Sequence, residues 1–488
     1  MENFVFSSRA KAVTGGTAIF GALLLIVSYF VDGGEGHHMR FWTNLLHNSV
    51  FFLGIAALAA FAYCAFTTAY AGWFVQFKRV WESFSMFLLP GLFLMGIIIV
   101  GLWLHSHHLY HWNDAAAVAD DPILTHKSSF LNKYWYTFGT IGFVGIWYFF
   151  MSRIRQISIA EDTQGDSNYT HHARIKKYAA PFLVIFGFTS AALIWQWIMS
   201  IDSHWYSTMF AWYASASLFV AMTALTIMLL IYLKSRGYLQ GVNAEHFHDL
   251  GKYLFAISIF WTYVWFSQFM LIWYGNVGEE TIYFRLRMDS YPVLFWGNLL
   301  LNFILPFFIL MRNDTKRKFG TLFFASAIVF FGHWVDFFSM IKPGARETLI
   351  EMAAHHDAGH HGDEQHATME GHGEGHAADD HGDTHATAEG HGEAHAADDH
   401  GDAHATGSHG DEYAANDHGE AHADGSHDDV HGHALEFKSG YTIPGLLEIG
   451  TFLGFLGGFL FFVLSSLTKA PLEPKRDPYM EESLHHHT

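Results

Sequence analysis

Ten stretches of the sequence are long and apolar enough to cross a bilayer: roughly 12–31, 43–66, 84–104, 135–151, 181–200, 208–232, 253–273, 291–311, 321–340 and 443–467. A span needs about 20 mostly apolar residues, because each helical residue rises only about 1.5 Å. Ten such runs exclude a soluble fold with buried core helices. The first run has no small-residue cleavage site before Asp32-Gly33-Gly34, so it reads as an uncleaved anchor and not as a signal peptide. The expected fold is an all-α integral membrane protein with ten transmembrane helices.

Of the 488 residues, 51% are hydrophobic and only one is cysteine, Cys64, which lies inside a span. An intrachain disulfide is therefore excluded, as are cysteine-ligated iron–sulfur clusters and thiolate zinc sites. No Cys-x-x-Cys-His motif is present for covalent haem attachment. If the protein handles electrons, the redox centres belong to a partner subunit or to a lipid-soluble substrate.

The net charge of −19 comes from one segment. Residues 355–433 hold 20 acidic side chains and no Lys or Arg, and the remainder carries 26 acidic against 27 basic residues. Within it, Gly371–Glu389 repeats almost unchanged as Gly390–Ser408. The segment has too little apolar surface to fold. The chain therefore divides into spans one to nine (1–344), a low-complexity His/Asp/Gly/Ala loop expected to be disordered (345–440), and span ten with a tail (441–488). The loop reads either as a weak metal-binding or proton-buffering tract or as a tolerated expansion.

Lys and Arg concentrate in alternate connections: Arg9 and Lys11; Lys78 and Arg79; Arg153 to Lys177; Lys234 and Arg236; Arg312 to Lys318; Lys469 to Arg476. With ten spans these all fall on one side. The positive-inside rule makes that side cytoplasmic, with both termini inside and the low-complexity loop in the periplasm. The expected location is a bacterial cell membrane.

Polar residues inside spans are costly and each needs a reason. Most sit in the outer, periplasmic halves: His47 with Asn48, Gln196, Gln268, Asn298 and Asn302, and His333 with Asp336. Asp202 and His204 follow span five, and Glu279 and Glu280 follow the aromatic stretch that begins at Trp265. His333 and Asp336 are three apart, on one helix face and close enough to hydrogen-bond, which suits a proton acceptor. The alternative is a structural His–Asp bond between helices. His47 reads equally as a satisfied interior histidine, Asp202 and His204 as part of an interfacial belt, and Glu279 and Glu280 as solvated loop charges. The cluster His105 to His111 has metal-ligand character but lies at a span end. On the cytoplasmic side Arg79 and Glu82 have ion-pair spacing and mark either a helix start or a proton entry point.

Several stretches together resemble a known family: Arg40-Phe41-Trp42-Thr43-Asn44, Ala71-Gly72-Trp73 with Lys78-Arg79-Val80-Trp81-Glu82, Ser267 to Asn276, Glu279-Glu280-Thr281, and Gly332-His333-Trp334-Val335-Asp336. The chain resembles the NrfD/polysulfide-reductase-type membrane subunits of alternative complex III, the quinol:cytochrome c (electron acceptor) oxidoreductase, in particular its second such subunit, the ActF type. The resemblance implies two four-helix bundles, spans two to five and six to nine, with spans one and ten flanking. It implies quinol, menaquinol by expectation, as substrate, and no redox cofactor in this chain. Partners would be an iron–sulfur subunit, c-type haem subunits and a sister NrfD-type subunit. The expected role is quinol binding near the periplasmic face, proton conduction, or both. Candidate proton-transfer residues are His333, Asp336, Asp202, His204, Glu279, Glu280, Gln268 and His47, with Arg79 and Glu82 at the cytoplasmic entry. The rival readings are a metal-cation or proton-coupled transporter and a purely structural membrane anchor.

Overall fold

The structure is a computed structural model that describes residues 4–32, 38–164, 169–369 and 440–486. The described residues are helical, without a strand, and nine of their helical segments are long and apolar enough to cross a membrane. In chain order the elements are α1 (Ser8–Val31), α2 (Met39–Thr68), α3 (Lys78–Ser85), α4 (Leu88–Trp103), α5 (Ala115–Asp120), α6 (Pro122–Lys127), α7 (Lys133–Gln164), α8 (Thr170–Trp197) and α9 (Met209–Ser235). There follow α10 (Ala244–Gly275), α11 (Gly278–Asp289), α12 (Pro292–Leu299), α13 (Leu305–Leu310), α14 (Asn313–Arg317), α15 (Phe319–Met369), α16 (Leu446–Leu467) and α17 (Met480–Leu484).

Nine of the ten expected runs fall in these apolar segments. The tenth, 135–151, lies in α7, which is helical throughout but diluted by Trp135, Tyr136, Trp147, Tyr148 and three glycines. The described residues up to Ala354, together with those from Gly440 onward, form one compact unit. The boundary drawn at 345 falls inside α15, which stays helical to Met369. The rest of the low-complexity loop, including its internal repeat, lies outside the described residues.

In this unit α2, α4, α7 and α8 touch in a ring, α2 against α8 and α4, α7 against α4 and α8. Helix α9 packs on α2, α8 and α10 and joins this ring to the second half. Helices α2 and α9 are almost wholly buried, whereas α1 exposes Ile19, Phe20, Leu23, Ile26 and Phe30. Apolar lipid makes that exposure free of cost, so packing and not hydrophobicity must hold α1 in place. It lies along α16, where a Cβ on Gly21 would fall 2.2 Å from the Gly454 Cα. Only glycines allow backbones this close.

Helix α12 continues into a π-helical turn over Leu300–Ile304 before α13. Pro306 explains it. Proline has no N–H to return to the carbonyl four residues earlier, Asn302, and its ring crowds that carbonyl.

The segment after α16 folds back over the opposite end of this unit. Glu482 accepts from the Gly72 N–H at 3.2 Å, the Ser483 hydroxyl donates to the Trp73 carbonyl at 2.9 Å, and His486 contacts Asp249 at 2.7 Å.

Candidate functional site

Three helices deliver one side chain or more to a single buried carboxylate on a fourth. Asp336, on α15, is fully buried. Its Oδ1 accepts from the Tyr213 hydroxyl on α9 and from Asn298 Nδ2 on α12 at 2.5 Å. Its Oδ2 accepts from the Ser217 hydroxyl on α9 and from Trp261 Nε1 on α10, both at 2.9 Å. Tyr213 and Ser217 are four apart and share one face of α9, which is why both reach it. Removing a carboxylate from water costs several kcal/mol even after relaxation. Four hydrogen bonds to it, each worth about 1.5–3 kcal/mol when an ionised group takes part, are enough to offset that.

His333 stands one turn before Asp336, but the two do not bond directly, in contrast to the expectation from their spacing. His333 Nδ1 is 3.9 Å from Asp336 Oδ2. Ser217 lies between them, 2.9 Å from Nδ1. Because the Ser217 hydroxyl donates to Asp336, the network assigns the Nδ1 proton to His333, donated to Ser217 Oγ. The other ring nitrogen, Nε2, is buried with no hydrogen-bond partner among the described residues. The π-turn shapes this site as well. Asn302 Nδ2 donates to Asn298 Oδ1 at 2.5 Å, and a Cβ on Gly332 would fall 2.3 Å from Asn302 Oδ1. Glycine next to His333 is thus what lets the asparagine pair reach α15.

A small cavity touches two of the carboxylate's donors, with room for about one water molecule, lined by Tyr213, Gln268, Tyr283, Arg287 and Asn298 among others. Gln268 is buried and its Oε1 has no partner among the described residues. On the cavity wall Arg287, from α11, pairs with Asp202 at 2.9 Å and donates to the carbonyls of Tyr283, Ser339 and Met340. Its guanidinium lies 3.4 Å from the Tyr283 ring centroid. Burial works against this cation, but the Asp202 carboxylate outweighs it and raises the Arg287 pKa. Asp202 is therefore a structural partner of an arginine as well as a candidate proton group.

A second polar chain leaves the same region. His47 Nε2 donates to the Trp334 carbonyl at 2.9 Å, and Trp334 Nε1 donates to Asn48 Oδ1 at 3.1 Å. Asn48 donates to the Asn44 carbonyl, and Asn44 donates to Glu448 on α16. Glu448 receives a bidentate fork from Arg40 at 2.7 and 2.9 Å. Beside this pair Lys342 is fully buried, donating to Thr43 Oγ1 at 2.6 Å between the rings of Phe338 and Tyr441.

At the opposite end, Arg79 and Glu82 form the expected ion pair at 2.6 Å. They belong to a larger buried group. Arg79 also reaches Asp162 and Ser158, Ser158 donates to Glu82, and Lys78 pairs with Glu161 and with Asp477 of the folded-back tail.

The remaining candidates stand apart. His204 is tied to Asp121, whose carboxyl pKa that hydrogen bond lowers. Glu279 and Glu280 occupy the first turn of α11, where carboxylates suit the helix dipole. Tyr213, Ser217, Trp261, Arg287, Lys342 and Glu448 were not among the sequence candidates. Glu448 and Lys342 carry a readable signal, a charge within or just past an apolar run. The hydroxyls and indole carry none, because their partner lies 75 to 123 residues away.

No known family model matches the chain, and no curated protein matches it in sequence.

Proposed function

We propose that this chain is the ActF-type, NrfD-like membrane subunit of a quinol-oxidising respiratory complex, crossing a bacterial cell membrane ten times with both termini in the cytoplasm. Helix α7 supplies the tenth span. The ring of α2, α4, α7 and α8 is the first four-helix bundle. The helices that converge on Asp336 are the second, and α1 and α16 flank them.

The observation that carries the reading is the Asp336–Ser217–His333 group. A carboxylate and an imidazole, both fully buried among membrane helices and linked through one hydroxyl, form an acid–base pair where hydrocarbon would otherwise exclude charge. The bare Nε2 of His333 is a free proton acceptor. In this reading protons leave Asp336 by way of its donors Tyr213 and Asn298, which line the cavity at Gln268 together with Arg287, the partner of Asp202, and so reach the periplasmic side. The group at Lys78, Arg79 and Glu82 is the cytoplasmic counterpart. In this reading quinol gives up two protons near the periplasmic face, while its two electrons pass to iron–sulfur clusters and c-type haems in partner subunits.

Affinity purification of the chain from its native membrane tests this. Copurified iron–sulfur and haem c subunits, with quinol:acceptor activity, are the expected result. A chain that purifies alone and moves metal cations into liposomes would overturn it in favour of a transporter.

A further inference from the structure

A cavity of about 270 Å³ lies apart from the Asp336 site, between the turn after α6 and the connection from α8 to α9. Phe130, Leu131, Trp195, Met199 and Trp205 are among its walls, and the surface presented to it is almost wholly apolar. The polar groups around it explain why. The Lys127 ammonium donates to the carbonyls of Ser203 and His204 at 2.9 and 2.8 Å, and the Ser200 hydroxyl donates to the Gln196 carbonyl at 2.6 Å. The Ser207 N–H is directed at the Met199 sulfur, 3.3 Å away. These polar atoms are spent on the protein itself, which leaves carbon to face the hollow.

Such a lining selects by exclusion. A buried water needs about two to four polar partners and finds too few here. An ion would lose its hydration with nothing to replace it. A quinol ring would bring two hydroxyls to a wall that offers them no hydrogen bonds. Hydrocarbon fits, and the volume is ample, since an apolar cavity of about 150 Å³ already takes up benzene.

The neighbouring surface identifies whose hydrocarbon it is. Val184, Phe188 and Trp195 share one face of α8, at spacings of four and seven. Val184 and Phe188 are exposed in the apolar stretch of that helix, and Trp195 reaches the cavity. On α9 the exposed Trp212 stands one turn past Thr208, which borders the cavity. The hollow is thus continuous with a lipid-facing stripe. On its inner side it stops at Trp205, stacked on Tyr283 with centroids 3.8 Å apart, and Tyr283 belongs to the wall of the polar cavity at Gln268. Bilayer hydrocarbon is as apolar as the wall, so transfer alone gains nothing. Filling the hollow recovers dispersion contacts that its lining otherwise lacks. Nothing in the wall discriminates among hydrocarbon chains, so mass action favours the most abundant, the acyl chains of the bilayer.

We propose that this cavity takes one acyl chain of a bilayer phospholipid, seated against Phe130, Leu131 and Met199 and ending at Trp205, with no selection of the headgroup. The proposal does not depend on the quinol reading; it requires only that α8 and α9 span a membrane.

Photocrosslinking tests it, on the protein or the complex that contains it, in bilayer nanodiscs with phosphatidylcholine that carries a diazirine within one acyl chain. Mass spectrometry is expected to find adducts on Phe130, Leu131 or Met199 as well as on the open face at Phe188. Phosphatidylglycerol with the same labelled chain should give equal yields, and a diazirine on the headgroup should give none at these cavity residues. Met199→Trp, which fills the hollow, should abolish adducts on Phe130 and Leu131 and leave those on Phe188 unchanged. Adducts at Phe188 without any in the wild-type cavity would overturn the proposal even if the variant does not assemble. So would a yield that depends on the headgroup, or unchanged cavity adducts in Met199→Trp. Loss of the adducts on adding an equimolar long-tailed quinone would assign the cavity to an isoprenoid tail instead.

Discussion

Ser217 is the smallest member of the Asp336 site and the one on which the others depend. Its hydroxyl is what joins His333 to Asp336. Ser217→Ala is expected to cost about 1–3 kcal/mol, since both neighbours stay buried and lose a partner, and to uncouple the imidazole from the carboxylate. Thermal unfolding in detergent, beside an activity assay, would read both; wild-type values in each would refute the bridging role. The histidine and aspartate were legible from their spacing in an apolar run. The serine was not, because a hydroxyl inside a span is common and its partners lie on another helix. Loop charges are illegible for a related reason: Arg287 is buried and paired while Glu279 is not, and nothing in their immediate neighbours distinguishes them. His107 carries a separate expectation. It lies outside the spans, and burial lowers its pKa from 6.5 to about 4. Between those values the unfolded chain binds a proton that the folded loop excludes. Stability is therefore complete above pH 6.5 and falls as pH drops toward 4, by up to about 3 kcal/mol at about 1.4 kcal/mol per unit. His107→Gln should flatten that slope in acid unfolding, and an unchanged slope would assign it to other groups.

Among the elements, the contact of α1 with α16 and the tail that follows α16 make the firmest demands. Close backbone packing on α16 is the main contact of α1, beside the stack of Tyr29 on His38, so Gly454→Val is expected to push it away and destabilise the protein by about 1–3 kcal/mol. Loss of a cysteine crosslink between positions 14 and 457, which are in contact in the structure, would report the separation, and an intact crosslink would contradict it. The tail behaves as a latch. Burial opposes ionisation of Asp477, yet the Lys78 ammonium prevails and lowers its pKa. The latch is thus fully held above the ordinary carboxylate range and released as pH falls through the lowered value. Asp477→Asn leaves Lys78 with Glu161 alone and should make the tail sensitive to protease at neutral pH; equal resistance in variant and wild type would remove the latch. Apolar periodicity made the helices legible, but α7 shows its limit, where Trp, Tyr and Gly dilute a helix that packs like its neighbours. The returning tail was not legible, because its polar residues read as solvated until α3 and α7 present buried partners to them.

At the scale of the whole molecule, buried charge gathers at two levels of one helical unit. One level holds Lys78, Arg79, Glu82, Glu161 and Asp162, and the other runs from Asp336 and His333 out to Arg287 and to Arg40 with Glu448. Helices α2 and α9, buried through most of their length, separate and align the two. Such a division suits a protein that handles protons from both faces of a membrane and leaves electrons to its partners. The Asp336 group is the centre of that account, and Asp336→Asn isolates it, because the amide keeps the shape and removes the charge. The decisive measurement is the rate of quinol oxidation and the protons released with it by the assembled complex in sealed vesicles. The account expects Asp336→Asn to lower the rate or its coupled proton release by about 100-fold, the scale on which a positioned acid–base group acts, in a complex that retains its full haem content. Wild-type turnover with wild-type proton release would contradict it.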